Sequence, residues 1–439
     1  MAKNKKIEPY KKIDHIEIFL WGKFVGAAAL DPKLGYYVFA YDKNFCRSRI
    51  EVSPLQMPLR ENEEPYVFTD LAEATFKRLP AMLADSLPDD FGNALIDRYM
   101  AEKGISSNQV TSLDRLAYMG KRAMGALEFK PALGSKKQIP TALEMNSLVN
   151  EARKLIRGDL DGDNQISAAL RSIIEVGTSA GGARAKAVIA WNPKTHEIRS
   201  GQVETPEGFE HWLLKFDGIG KDKTLGPSHQ YGRIEYAYYL MAKKAGIHIS
   251  ESQLLTENGR AHFMTKRFDR DKGNIKHHMQ SLCAMNHLDY KKKSTNSYEQ
   301  LFMTIKQLEL EHEAEVEAFR RMVFNIMARN CDDHTKNFSF LLRQGSSWEL
   351  SPAYDVTFAH DSESKWIYQH LMSANGKYKD FTLKDLFAVA DRFGVGEAKT
   401  IINNVRKTIK KWPSFAEKAG VSKAEAKRIQ KLHLLLEAR

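Results

Sequence analysis

Apolar and polar residues alternate loosely between residues 13 and 40, and two turn signals, Trp21-Gly22-Lys23 and Asp31-Pro32, divide the stretch. The spacing predicts strands at Ile16–Leu20 and Tyr36–Phe39, and so a small β-rich opening unit. From Leu71 to about Met100 the apolar spacing becomes helical, with Pro88-Asp89-Asp90-Phe91-Gly92 expected as a turn that interrupts it. Thr141 to Ile174 reads as helical at both ends, around the acidic loop Asp159–Asn164. That loop imitates the start of a calcium site, but Asn164 stands where the sharp turn needs glycine and Leu170 where a bidentate glutamate belongs. An ordinary connecting turn is expected there. Short apolar runs then predict strands at Ala187–Ala190, His211–Phe216 and Ala261–Lys266, with a helix, Gly232 to Ala245, between the last two. Beyond Gln280 long helical spacing runs almost to the end, broken by residues 331–358 and by Pro413. An α+β fold follows, in which a β-containing lobe precedes a helical one and leaves a cleft between them.

Composition adds limits. At 439 residues the chain is too long for one simple core and suggests two or three packed units. It is 43% hydrophobic and 28% charged, an ordinary globular balance. No run of about 18 apolar residues occurs, and the basic start MAKNKKIEPYKK is not followed by an apolar stretch with a cleavage site. A cytoplasmic location with no membrane partner is expected. Three cysteines, Cys46, Cys283 and Cys331, are too few and too scattered for a disulfide framework or thiolate cluster. The net charge of +11 favours polyanions, whether nucleotide phosphates or nucleic acid. Its densest runs, Lys291–Lys293 and Arg406–Lys411, each read alone as solvated faces.

The chemistry-bearing residues fall in four places. The segment Val176-Gly177-Thr178-Ser179-Ala180-Gly181-Gly182-Ala183-Arg184-Ala185-Lys186 is rich in small residues. Gly181 and Gly182 allow the backbone to approach phosphates, and Arg184 and Lys186 can add charged contacts. It lacks both the GxxxxGK[ST] and the GxGxxG spacing, so a flexible turn before a strand is its bland alternative. Lys215 ends a strand-like run that would hold it against α- and β-phosphates, with Glu235 in the following helix as the acid that orients it. Asn330-Cys331-Asp332-Asp333-His334-Thr335-Lys336-Asn337 is the sharpest signal. Here Asp332 can accept the proton of an attacking hydroxyl, Lys336 can balance charge on a transferred phosphoryl group, and Asn337 can hold magnesium. His334 reads as a hydrogen-bonding residue that fixes the loop, and Cys331 as a packed thiol. Asp355 follows among apolar neighbours, where a carboxylate needs a cation and a magnesium ion would serve. His277 and His278 carry no HExxH spacing, which argues against a metal hydrolase.

These motifs, together with Leu87–Gly92, Met124-Gly125-Ala126-Leu127-Glu128-Phe129, Lys266-Arg267-Phe268-Asp269-Arg270 and Tyr354-Asp355-Val356, resemble the HipA-like serine/threonine kinases. These are toxin components of type II toxin-antitoxin modules. The resemblance implies a two-lobed, protein-kinase-like fold with an extra N-terminal β-rich subdomain and an all-helical C-terminal lobe. The corresponding units are 1–135, a nucleotide-binding N-lobe at 136–275, and a helical C-lobe at 276–439. It implies ATP and Mg2+ as cofactors, Lys215 and Glu235 at the phosphates, Asp332 as base, and Asn337 and Asp355 as metal ligands. Autophosphorylation in the glycine-rich segment is implied at Ser179, with Thr178 beside it as a second acceptor. One departure is Gly182-Ala183-Arg184-Ala185-Lys186, where the family often has Gly-Ala-Gln-x-Lys. The implied partners are a protein substrate in translation, such as an aminoacyl-tRNA synthetase, and a small DNA-binding antitoxin of helix-turn-helix type. DNA is then met mainly through the antitoxin, since this chain shows no helix-turn-helix of its own. The other readings kept open are a small-molecule kinase and a non-catalytic component of a DNA-bound repressor complex.

Overall fold

The computed structural model describes residues 12–60, 64–101, 104–133, 186–201, 204–217, 230–257 and 260–437. The predicted helices within 141–174, the acidic loop and the glycine-rich segment up to residue 185 lie outside them.

The opening unit is a four-stranded sheet in the order β3-β2-β1-β4, made of β1 His15–Leu20, β2 Lys23–Asp31, β3 Tyr36–Tyr41 and β4 Leu127–Lys130. Strict alternation puts Ile16, Ile18 and Leu20 wholly in the core, which is why β1 is visible in the sequence. β2 is not, because its Gly26-Ala27-Ala28-Ala29 run carries no alternation of bulk. Gly26 is needed there: a Cβ on it would lie 2.1 Å from the Ala40 carbonyl oxygen of β3. The helix Asp90–Ala101 begins inside the segment expected as a turn, so only Pro88 and Asp89 precede it.

The second sheet is antiparallel, in the order β6-β5-β7-β9-β8, from β5 Lys186–Trp191, β6 Ile198–Ser200, β7 Glu210–Lys215, β8 Ser252–Glu257 and β9 Arg260–Lys266. The helix Tyr231–Lys244 lies against β8 and β9. Its approach is close enough that a Cβ on Gly232 would stand 2.3 Å from the Ala261 carbonyl oxygen. That contact seats the helix, and with it Glu235, over the end of β7.

The far half is built on the helices Tyr298–Gln307, His312–Ala328, Leu383–Phe393, Ala398–Ile409, Trp412–Lys418 and Lys423–Leu432. Their apolar faces share one core with the Tyr231–Lys244 helix, including Tyr238, Phe324, Val405 and Trp412. This half is not all helical, which corrects the expectation. It holds a three-stranded sheet, β10 His278–Ser281, β12 Ser339–Leu342 and β13 Trp348–Leu350, and a short parallel pair, β11 Asn296–Ser297 with β14 Met372–Ser373. These strands have two to four residues, and β12 is buried on both faces, so no period-two signal marks them.

A buried ionic cluster joins the opening unit to the second sheet. The Asp269 carboxylate accepts from Arg267 (Nε 2.9 Å, Nη2 2.6 Å), from Arg270 Nη1 at 2.7 Å and from the Gly125 backbone N–H at 2.7 Å. Arg270 returns a bond to the Gly125 carbonyl at 2.8 Å. The Met124–Phe129 and Lys266–Arg270 motifs are thus the two sides of one junction.

Candidate active site

Lys215 closes β7 and is buried, as is Glu235 one turn into the Tyr231–Lys244 helix. The lysine ammonium pairs with Glu235 and donates to Asp355 Oδ1 at 2.6 Å. Asp355 sits at φ 52°, a left-handed backbone rare for a non-glycine residue, which turns its carboxylate back toward the strand-rich half. Burial alone would push the Asp355 carboxyl up, but the Lys215 and Lys186 ammonium groups outweigh it and hold it below its ordinary value. It is therefore an anion available to a cation.

The helix His312–Ala328 ends on Arg329 in the left-handed region, and Cys331 N–H bonds the Ala359 carbonyl at 2.9 Å. This releases the polar loop 330–337 from the core at a set angle. Asp332 Oδ1 accepts from the Trp366 indole N–H at 2.8 Å. Burial pushes the Asp332 carboxyl up, only partly offset by His334 and by that indole, while Asp355 adds to the rise. A raised carboxyl is a better proton acceptor when ionised. The Asn337 amide N–H2 donates to the Asp332 backbone carbonyl at 2.7 Å, and its Oδ1 takes no hydrogen bond among the described residues. Asn337 and Asp355 line the same cavity, with Asp333, Tyr354 and Phe338. Two hard oxygen donors on one cavity, one an anion and the other held by its amide, fit magnesium. A cluster of three or more His, Cys, Asp or Glu side chains able to hold a metal is absent among the described residues.

The structure thus brings together Lys215, Glu235, Asp332, Asn337 and Asp355. It places Lys336 differently: its ammonium stands 3.7 Å from Asp85 Oδ1 and 5.3 Å above the Tyr290 ring. Lys186, at the start of β5, is buried 3.5 Å from Asp89 Oδ2 rather than reaching for solvent. Gly181, Gly182, Arg184, Thr178 and Ser179 lie outside the described residues. His334 ties the loop through its backbone carbonyl, which accepts the Asn337 N–H at 2.9 Å, and not through its ring: Nδ1 is buried without a hydrogen-bond partner among the described residues, and Nε2 lies 3.9 Å from Asp332. The side-chain bracing comes from Asp333. Wholly buried, it accepts from Tyr298 Oη (2.7 Å), His370 Nδ1 (2.7 Å) and the Leu371 backbone N–H (2.8 Å). Tyr354 adds a second brace by donating to the Lys336 carbonyl at 2.6 Å. Asp333 and Trp366 escape sequence reasoning because their partners lie more than thirty residues away along the chain.

The profile of the HipA-like C-terminal domain matches residues 178–413, more than half of the chain. The chain belongs to the HipA-like family. The profile of the HipA N-terminal domain matches residues 16–130, so the β1–β4 unit is the HipA N-terminal domain. A chain of the Shewanella oneidensis MR-1 toxin-antitoxin complex of HipA, HipB and operator DNA has the same fold. It superposes with a TM-score of 0.65 at 17% identity, over 96% of this chain and 95% of that one. The Helicobacter pylori proinflammatory kinase CtkA aligns more loosely, with a TM-score of 0.33 at 13% identity over 52% of this chain and 88% of that one. A Haemophilus influenzae protein provisionally named a kinase is 34% identical over 134 residues, which span 28% of this HipA-like chain and 39% of that protein. No helix among the described residues is long and apolar enough to cross a membrane.

Proposed function

We propose that this HipA-like chain is an ATP- and magnesium-dependent serine/threonine protein kinase and the toxin of a toxin-antitoxin module. The observation that carries the reading is Asp355, which holds the Glu235-paired Lys215 ammonium and lines one cavity with Asn337 of the 332–337 loop. In this reading the N-lobe ends near residue 275 and the chemistry straddles the boundary. Lys215 leaves Asp355 for the α- and β-phosphates of ATP, and Glu235 keeps its ammonium aimed there. Asp355 and Asn337 would hold magnesium, which when bound offsets the phosphate charge. Asp332 takes the proton of the acceptor hydroxyl as its oxygen bonds the γ-phosphorus and ADP leaves. Trp366 occupies Asp332 Oδ1, so Oδ2 is the oxygen presented to the acceptor.

The acceptor is a protein of translation such as an aminoacyl-tRNA synthetase, and the chain silences itself by phosphorylating Ser179 or Thr178. A small helix-turn-helix antitoxin is its partner and carries it to DNA. Support for these assignments comes from family membership and from the complex in which the Shewanella chain was solved. The test is incubation with γ-labelled ATP and magnesium, followed by phosphopeptide mapping and a cell-extract screen for labelled proteins and metabolites. Label on Ser179 or Thr178 and on an extract protein, absent with Asp332→Ala, is expected. Label on metabolites alone, or on nothing, refutes the protein-kinase reading.

A further inference from the structure

The N-terminal domain brings two carboxylates, four residues apart, to lysines of the rest of the chain. Asp85 lies beside Lys336 of the catalytic loop, and Asp89 beside Lys186 of the second sheet. The second contact is the more telling. Lys186 and Lys215 are direct cross-strand partners on β5 and β7, so both side chains leave the same face of the sheet. Their side chains are 3% and 8% exposed, which places two like charges side by side out of water. Such a pair stands only if each cation has its own acid. Lys215 has Glu235, whose side chain is 2% exposed, and Lys186 has Asp89, whose side chain is wholly enclosed. Asp355 is drawn by both lysines. When it turns to a metal ion, Glu235 and Asp89 still stand beside Lys215 and Lys186.

Asp89 is itself fixed. Its Oδ1 accepts the Gly92 backbone N–H at 2.6 Å, at the start of the helix Asp90–Ala101, which leaves Oδ2 toward Lys186. The Asp269 junction anchors the same domain to the sheet through Gly125. We propose that Asp89 is a positioning residue of the nucleotide site, orienting Lys186 toward the phosphates as Glu235 orients Lys215. The N-terminal domain is then a working part of ATP binding and not an appendage. This rests on the kinase reading above.

The test is titration of the full chain with a non-hydrolysable ATP analogue and magnesium, comparing wild type, Asp89→Asn, Asp89→Ser, Lys186→Met and the Asp89→Asn/Lys186→Met pair. Asn and Ser both keep an oxygen to cap Gly92 N–H, so the helix start survives while the charge is lost. Melting temperatures report the fold independently. Each Asp89 variant is expected to bind the analogue about tenfold more weakly or worse, and the double variant no more weakly than Lys186→Met alone. The role falls if the Asp89 variants bind as tightly as wild type or more tightly, or if the two losses multiply. A wild-type chain that binds no nucleotide sinks the kinase reading, and Asp89's role with it, a result distinct from the first.

Discussion

Replacing Asp269 with alanine should be among the most damaging single changes outside the active site. Its carboxylate lies between two guanidinium groups, Arg267 and Arg270, whose side chains are 3% and 5% exposed, and it is itself wholly enclosed. Both arginines also donate to the Ala123 carbonyl, at 3.4 and 3.1 Å, but no carbonyl neutralises two cations. Burial and the neighbouring Arg267 already draw Arg270 down to about 9 with Asp269 in place. Removing the anion leaves two uncompensated buried charges, a change that costs about 3–5 kcal/mol. For a unit of roughly 150–250 residues this lowers the melting point by at least about 6 °C. Intrinsic fluorescence melts of wild type and Asp269→Ala measure it. Substituting all three residues at once with apolar side chains of similar size should recover most of the loss. The pH dependence has a definite sign. Burial alone would raise the Asp269 carboxyl, but the two arginines pull it well below the carboxylate range. Its stabilisation is therefore complete above about pH 4 and disappears as pH falls through the lower folded value. A loss under about 1 kcal/mol in Asp269→Ala would refute the view that this junction ties the N-terminal domain to the sheet.

Three further outcomes follow from named contacts. Trp366→Phe deletes the indole donor on Asp332, so the Asp332 carboxyl should rise further; the acid limb of the phosphotransfer pH profile moves upward and kcat falls more than KM changes. His370 is buried, which disfavours its charge, yet the Cys331 sulfur and the Asp333 carboxylate at 2.7 Å hold it up at about 10. Its contribution is complete below about pH 6.5 and lost toward about pH 10, so stability should fall by up to about 1.4 kcal/mol per pH unit across that window, and denaturant titrations of His370→Gln should show a flatter curve. Asp333→Ala, which strips an acceptor from Tyr298, His370 and Leu371, should cost several kcal/mol by denaturation and disorder the loop, with phosphotransfer lost while the Lys215–Glu235 pair is left intact.

The parts of the site legible in the sequence are those with a local cause. Lys215 was visible because an apolar strand runs up to it, Glu235 because a helix with a clear period follows, and Asp332 to Asn337 because a polar string is clamped between buried segments. Asp355 stood out as a carboxylate among apolar neighbours. What was hidden depends on contacts between distant segments. Asp89 lies in a segment whose sequence predicts a turn, and nothing near it in the chain points to Lys186, which lies 97 positions further on. The sequence points to His334 as the loop's brace, but only its backbone carbonyl serves, and the side-chain bracing falls to Asp333, because adjacent loop residues cannot be ranked without knowing which one faces Tyr298 and His370. In the fold, β1 and the helix Tyr231–Lys244 announce themselves by period, whereas β2 with its small residues and β10, β12 and β13 with their shortness do not.

The central claim is that Asn337 and Asp355 from one half and Lys215 from the other converge on metal-loaded ATP. A crystal structure of the chain with magnesium and a non-hydrolysable ATP analogue tests it most directly. The account predicts a metal about 2.1 Å from an Asp355 carboxylate oxygen and from Asn337 Oδ1, with the Lys215 ammonium moved from Asp355 onto the phosphates. Nucleotide bound elsewhere, or bound in this cleft with Asp355 still holding Lys215 and no metal between Asp355 and Asn337, would contradict it.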